Sequence, residues 1–83
     1  MVVDDVKTVL ADVLRLGAKI DRFDEQTALF GSVPEFDSMA VVTVIAALEE
    51  KFGITIDDED ITAETFATVG SLSMFVEGRL HQR

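Results

Sequence analysis

Hydrophobic side chains recur at Val6, Val9, Leu10, Val13 and Leu14. Steps of three and four residues put them on one stripe of an amphipathic helix, predicted over about Asp4 to Leu16. Asp4 and Asp5 suit its first turn, and Gly17 offers a stop. From Ala18 to Phe36 no period holds, yet Ile20, Phe23, Leu29, Phe30, Val33 and Phe36 are spread through the stretch. That pattern predicts a long loop pinned to the core by its apolar residues, with a short helical turn and turn chemistry at Gly31-Ser32-Val33-Pro34. Then comes a nearly continuous apolar run, Met39 to Leu48, broken by Thr43 and closed by Glu49-Glu50-Lys51-Phe52-Gly53. It predicts a second helix from Ser38 to Phe52, with Asp37 as N-cap and Gly53 as C-terminal stop. Ile54-Thr55-Ile56 alternates like a strand but is too short to make a sheet. A short helical piece is expected from about Asp58 to Phe66. A last helix is expected from Ser71 to Leu80, capped at Gly70-Ser71 and marked by Leu72, Phe75, Val76 and Leu80. The tail from His81 is expected to fray.

The predicted fold class is therefore all-α: a small four-helix bundle of three main helices plus one short helix, after a long first loop. Its 83 residues make a single domain, 1–83, since there is no room for two. The composition is 48% hydrophobic, enough for a core and too much for a disordered chain. Within the second helix, Val42, Ile45 and Leu48 are read as core. For Met39, Ala40, Val41 and Val44 the choice between core and partner contact stays open, because not every side of one helix can face inward.

A formal net charge of −9 changes the list of partners. Nucleic acid and anionic membranes are excluded, because both need clustered Lys and Arg. Basic protein surfaces are favoured. The absence of cysteine removes disulfides and thiolate chemistry, and with a single histidine there is no His/Cys set for a metal. The acidic run Asp57 to Asp60 lacks the alternating ligands, glycine and final Glu of a calcium loop, so it reads as a solvated helical turn. The six phenylalanines read as core anchors. The N-terminus has no signal-peptide pattern, and the apolar run is too short for a membrane span. A cytoplasmic monomer is the expectation.

Ser38 is the residue with unspent chemistry. It falls in the first turn of the second helix, where N–H groups and the helix dipole favour an anion. A nucleophilic serine needs a base held against it. The one histidine, His81, is far along the chain. The chain is therefore read as no enzyme, and Ser38 as an attachment point, with helix capping by Asp37 true alongside.

The helix order and the tripeptide Asp37-Ser38-Met39 resemble the acyl carrier proteins, whose signature is Asp-Ser-Leu at the start of helix two. The likeness extends through Leu48-Glu49-Glu50-Lys51-Phe52, Ile54-Thr55-Ile56-Asp57 and Thr68-Val69-Gly70-Ser71-Leu72. It implies that Ser38 carries a covalent 4′-phosphopantetheine arm, placed there by a phosphopantetheinyl transferase, whose thiol holds acyl groups as thioesters. It also implies docking on acyl ligases, transferases or synthases with basic surfaces, through Asp37, Met39, Val41, Val44, Glu49, Glu50, Asp58 and Glu59. An acyl chain would lie against Val42, Ile45, Phe52, Ile56, Ile61 and Phe66.

Two departures narrow the resemblance. Met39 stands for the usual Leu, a volume-conserving change. Ala40 and Thr43 stand where general fatty-acid carriers have acidic residues. The Pro34-Glu35-Phe36-Asp37-Ser38-Met39 stretch resembles acyl carriers that accompany bacterial exopolysaccharide and protein-sorting gene clusters. A specialised pathway is the expectation. The alternatives are an aminoacyl or peptidyl carrier, or an unmodified interaction module.

Self-repulsion at this net charge predicts a fold that counter-ions stabilise. A thermal melt with added magnesium should shift upward, and an unchanged melting temperature would contradict the expectation.

Overall fold

The computed structural model describes residues 2–29 and 33–81. Along the chain run α1 (Val3–Leu14), a 3-10 helix (Gly17–Arg22), α2 (Ser38–Phe52), a second 3-10 helix (Asp58–Asp60) and α3 (Val69–His81). α1 packs against both α2 and α3. The predicted all-α arrangement of three main helices holds. The expected features at Phe30, Gly31, Ser32 and the last two residues lie outside the described residues.

α1 buries Val6, Val9, Leu10 and Leu14, the stripe that the spacing marks. It ends sooner than Gly17. Arg15 adopts a left-handed conformation (φ 54°), and the N–H groups of Arg15 and Leu16 both donate to the Ala11 carbonyl. That closure drops Leu16 into the core, and its burial offsets the cost of a left-handed non-glycine residue. Gly17, also at positive φ, opens the first 3-10 helix.

α2 has the predicted bounds. Asp37 caps it, its Oδ1 accepting from the Ala40 N–H at 2.9 Å. At the other end Gly53 sits at φ 64°, and its N–H donates to the Glu49 carbonyl. Ile54 and Ile56 are buried on either side of exposed Thr55. Among the described residues no strand pairs with them; the one β-bridge joins Ala28 and Thr68.

The short helix predicted for Asp58 to Phe66 is cut down to three residues. Asp57 and Asp60 form a reciprocal capping box around it. The Thr65 N–H then donates to Thr62 Oγ1 at 3.0 Å. These side chains offer the backbone local partners that compete with a continuing helix. Phe66 is buried and stacks on Phe36, with ring centroids 6.1 Å apart.

α3 starts at Val69, two residues before the expected Ser71. Its cap is Thr68: the Ser71 N–H donates to Thr68 Oγ1, and the Thr68 N–H donates to Ser71 Oγ, both at 3.0 Å. The first loop supplies the remaining acceptors. The Val69 N–H donates to the Thr27 carbonyl at 3.0 Å and the Gly70 N–H to the Glu25 carbonyl at 2.8 Å. The loop is held there by Leu29, which is fully buried and donates its N–H to the Ala67 carbonyl. The backbones meet so closely that a Cβ on Gly70 would lie 2.7 Å from the Glu25 oxygen.

Two substitutions probe these contacts. Gly70→Ala forces the loop off α3 and should cost about 1–3 kcal/mol, the scale of overpacking, in a denaturant melt. Glu49→Ala should cost about 1–2 kcal/mol, because Glu49 Oε2 accepts from the half-buried Ile56 N–H at 2.8 Å. Glu49→Gln keeps an acceptor and should cost less; equal losses would mean that this hydrogen bond is not what Glu49 contributes.

Candidate functional site

Two buried anchors, Val33 and Phe36, bring the chain to α2, with the Phe36 N–H donating to the Val33 carbonyl at 3.0 Å. Between them Glu35 reaches the first 3-10 helix, its Oε2 accepting from Lys19 Nζ at 2.9 Å. The lysine's hydrogen bond holds the Glu35 carboxyl below the usual carboxylate range. A depressed carboxylate stabilises the fold above its unfolded-state pKa, and the contribution is lost as pH falls through the folded value. The pair is partly exposed, so the effect is small.

Asp37 then turns the chain into the helix in an extended conformation, and Ser38 follows as the first helical residue, exposed to solvent. A helix start leaves backbone N–H groups without helical acceptors. Here Asp37 takes two, its side chain accepting from Ala40 and its carbonyl from Val41. Among the described residues the N–H groups of Ser38 and Met39 have no acceptor. An exposed hydroxyl beside two free donors, at the positive end of a 15-residue helix, suits a covalently tethered phosphate. A phosphopantetheine group therefore fits the chemistry present. It would hang from Ser38 Oγ, with its phosphodiester near those N–H groups and its body in solvent.

The outer face of α2 beyond Ser38 carries no charge until Glu49. Met39 is 77% exposed and Val42 65%, and Thr43 and Ala46 are exposed with them. The inner face is Val41, Val44, Ile45 and Leu48. Val44 has no exposed surface, so it belongs to the core and not to a docking face; Val41 is half-buried and packs on the same core. Val42, expected as core and as an acyl-chain wall, points outward instead. Residues 41, 44, 45 and 48 share one side of a 3.6-residue helix, and that phase leaves residue 42 on the other.

The remaining expected wall residues divide similarly. Ile45, Ile56 and Phe66 are buried, Phe52 is half-buried, and Ile61 is open to solvent where the chain leaves the second 3-10 helix. Surface grooves lie elsewhere, for example one of about 300 Å3 between α1 and α2 lined by Val9, Val13, Ala47 and Lys51.

The acidic candidates also separate. Glu50, Asp58 and Glu59 are exposed. Glu49, expected to face a partner, is half-buried, and its carboxylate is spent on the Ile56 N–H, because the turn after Gly53 aims that donor back at the helix end. Asp60 is paired with Arg79, whose guanidinium also lies over the Phe75 ring, 5.3 Å from its centroid. Spacing along the chain could not have marked these last contacts; Asp60 and Arg79 are 19 residues apart. Among the described residues no acidic or histidine cluster could hold a metal ion. No helix there is long and apolar enough to cross a membrane.

Known proteins share this arrangement. The family described as "Phosphopantetheine attachment site" matches residues 4–76. An acyl carrier protein of Wolinella succinogenes is 36% identical over 74 residues, covering 89% of this chain and 91% of its own. One from a Sulfurovum species is 39% identical over 74 residues, covering 89% and 92%. The solution structure of a holo acyl carrier protein from Nitrosomonas europaea superposes with a TM-score of 0.92, at 47% identity over 98% of each chain. With its three helices, its exposed serine at the start of α2 and these relatives, the chain belongs to the acyl carrier protein family, and its covalent group is 4′-phosphopantetheine.

Proposed function

We propose that Ser38 is the residue that bears the arm, and that the chain carries acyl groups for other enzymes. The observation that supports this reading most is the exposed hydroxyl at the first position of α2, beside two unpaired N–H groups. In the loading step the Ser38 oxygen attacks a phosphorus of the coenzyme A diphosphate. The oxygen–phosphorus bond forms as the bond to the adenosine bisphosphate leaving group breaks, and the hydroxyl proton passes to a base of the transferase. This chain supplies the oxygen and the positive helix end, and the transferase supplies the chemistry. Once loaded, a flexible tether raises the effective concentration of its cargo at each partner site.

The partners follow from the surface. Met39 and Val42 flank Ser38, so an enzyme that reaches the serine covers an apolar half of α2. Exposed Glu50, Asp58 and Glu59 then offer charge to basic residues farther out. With no acid on the outer face of α2 in the turns after the serine, a specialised acyl pathway with dedicated ligases or transferases fits better than general fatty-acid synthesis. Cytoplasmic location and a monomeric state belong to the same reading. For an acyl chain held in the core, the side chains that remain are Ile45, Phe52, Ile56 and Phe66; they would have to part to admit it.

Intact mass after incubation with coenzyme A and a broad-specificity phosphopantetheinyl transferase should rise by one phosphopantetheine group, and Ser38→Ala should show no gain. That variant should lose less than about 1 kcal/mol, because Asp37 and not Ser38 makes the cap hydrogen bond. A gain that persists in Ser38→Ala would move the arm to another residue. In a reconstituted fatty-acid synthase the loaded chain should turn over well below the synthase's own carrier; equal rates would refute specialisation.

A further inference from the structure

The chain has no cysteine, so its sulfur is confined to three methionines. Met1 lies outside the described residues. The other two stand clear of the core, Met39 at 77% exposed and Met74 at 75%. They are alike in exposure and unlike in place. The two grooves that Met74 lines on α3, one with Val3 and Glu25 and the other with Asp60 and Arg79, take no described residue of α2. Met39 directly follows Ser38, so their Cα atoms are about 3.8 Å apart. At about 100° of turn per residue, Val42 stands about 40° round α2 from the serine, Ala46 about 80° and Met39 about 100°. Ser38, Val42, Ala46 and Met39 are all exposed and share this uncharged flank.

A transferase that brings its active site to the Ser38 hydroxyl covers the same flank, and with it the Met39 thioether. That sulfur is open to oxidation. With hydrogen peroxide it gives up two electrons: the O–O bond breaks, one oxygen joins the sulfur as a sulfoxide, and the other leaves as water. The product is polar where the thioether was apolar. In the free chain water solvates the sulfoxide, and the core does not contain it. Under a partner it must shed that water, and a polar group covered without a hydrogen bond is costly. We propose that Met39 is a modification site, whose oxidation to the sulfoxide by hydrogen peroxide slows loading at Ser38 and whose reduction restores it. This rests on the reading of Ser38 as the attachment residue.

The test treats the full chain with hydrogen peroxide before loading, removes the peroxide, and then adds coenzyme A and the same transferase. Intact mass follows loading, and peptide mass locates the added oxygen. Oxidation should lower kcat/KM about tenfold, mainly through KM, the scale of one polar group left unpaired in an interface. The helical circular dichroism should stay that of the untreated chain. Methionine sulfoxide reductases for both sulfoxide epimers should restore the rate. Met39→Leu keeps an apolar side chain without the sulfur, so peroxide should change its own rate by less than about twofold. Met74→Leu removes the other exposed sulfur and should lose as much as the parent. Parental loading after Met39 is oxidised, an equal loss in Met39→Leu, oxygen found at Met74 with Met39 intact, or a treated chain that unfolds would each overturn the proposal while leaving Ser38 as the site. An untreated parent that gains no mass would overturn the reading of Ser38 and this inference with it.

Discussion

Every helix in a small protein begins with backbone N–H groups that its own turns cannot satisfy, and the use of those donors organises this molecule. At α3 the chain spends them all. Thr68 and Ser71 cap each other, and the carbonyls of Thr27 and Glu25 take the first two donors. At α2 the chain spends two, through Asp37, and leaves those of Ser38 and Met39 facing solvent. One helix start thereby becomes a structural joint between the long loop and α3. The other keeps the residual positive character that suits a tethered phosphate.

The joint at α3 explains how a chain with so long a first connection still has a defined core. Loop residues 24–29 lie across the helix start, close enough that any side chain at position 70 would push the Glu25 carbonyl away. Leu29, Val33 and Phe36 follow into the interior, and Phe36 meets Phe66 from the opposite connection. The two irregular segments are thus packed against each other and against the helices. The serine at the end of the first is presented by anchored chain. Packing, with no disulfide available, supplies that anchoring.

Charge is distributed to match this division. Two half-buried acids are used internally: Glu49 accepts the Ile56 N–H, and Asp60 binds Arg79 and the Asp57 N–H. On α2 the exposed acid is Glu50 at its lower end, with Asp58 and Glu59 on the second 3-10 helix, while the upper outer face of α2 is uncharged.

Local chemistry determined much of this from the sequence. The stripe of α1, the bounds of α2 with Asp37 and Gly53 at its ends, the all-α class and the exposed serine follow from side-chain period, caps and turn residues, which act within a few positions of the chain. The phase of α2 did not follow. Its run is apolar on nearly every side, so periodicity could not say that Val44 turns inward and Val42 outward; contact with α1 and the connections decided it. The short helix expected from Asp58 shrank to three residues because aspartate and threonine side chains took the backbone donors, a competition that composition leaves undecided. Glu49 looked like a surface acid until the turn after Gly53 brought the Ile56 N–H to it. The pairings Lys19–Glu35 and Arg79–Asp60, and the loop carbonyls that cap α3, depend on residues many positions apart. Only the tertiary structure places them together, because only the packed chain brings distant donors and acceptors within hydrogen-bonding reach.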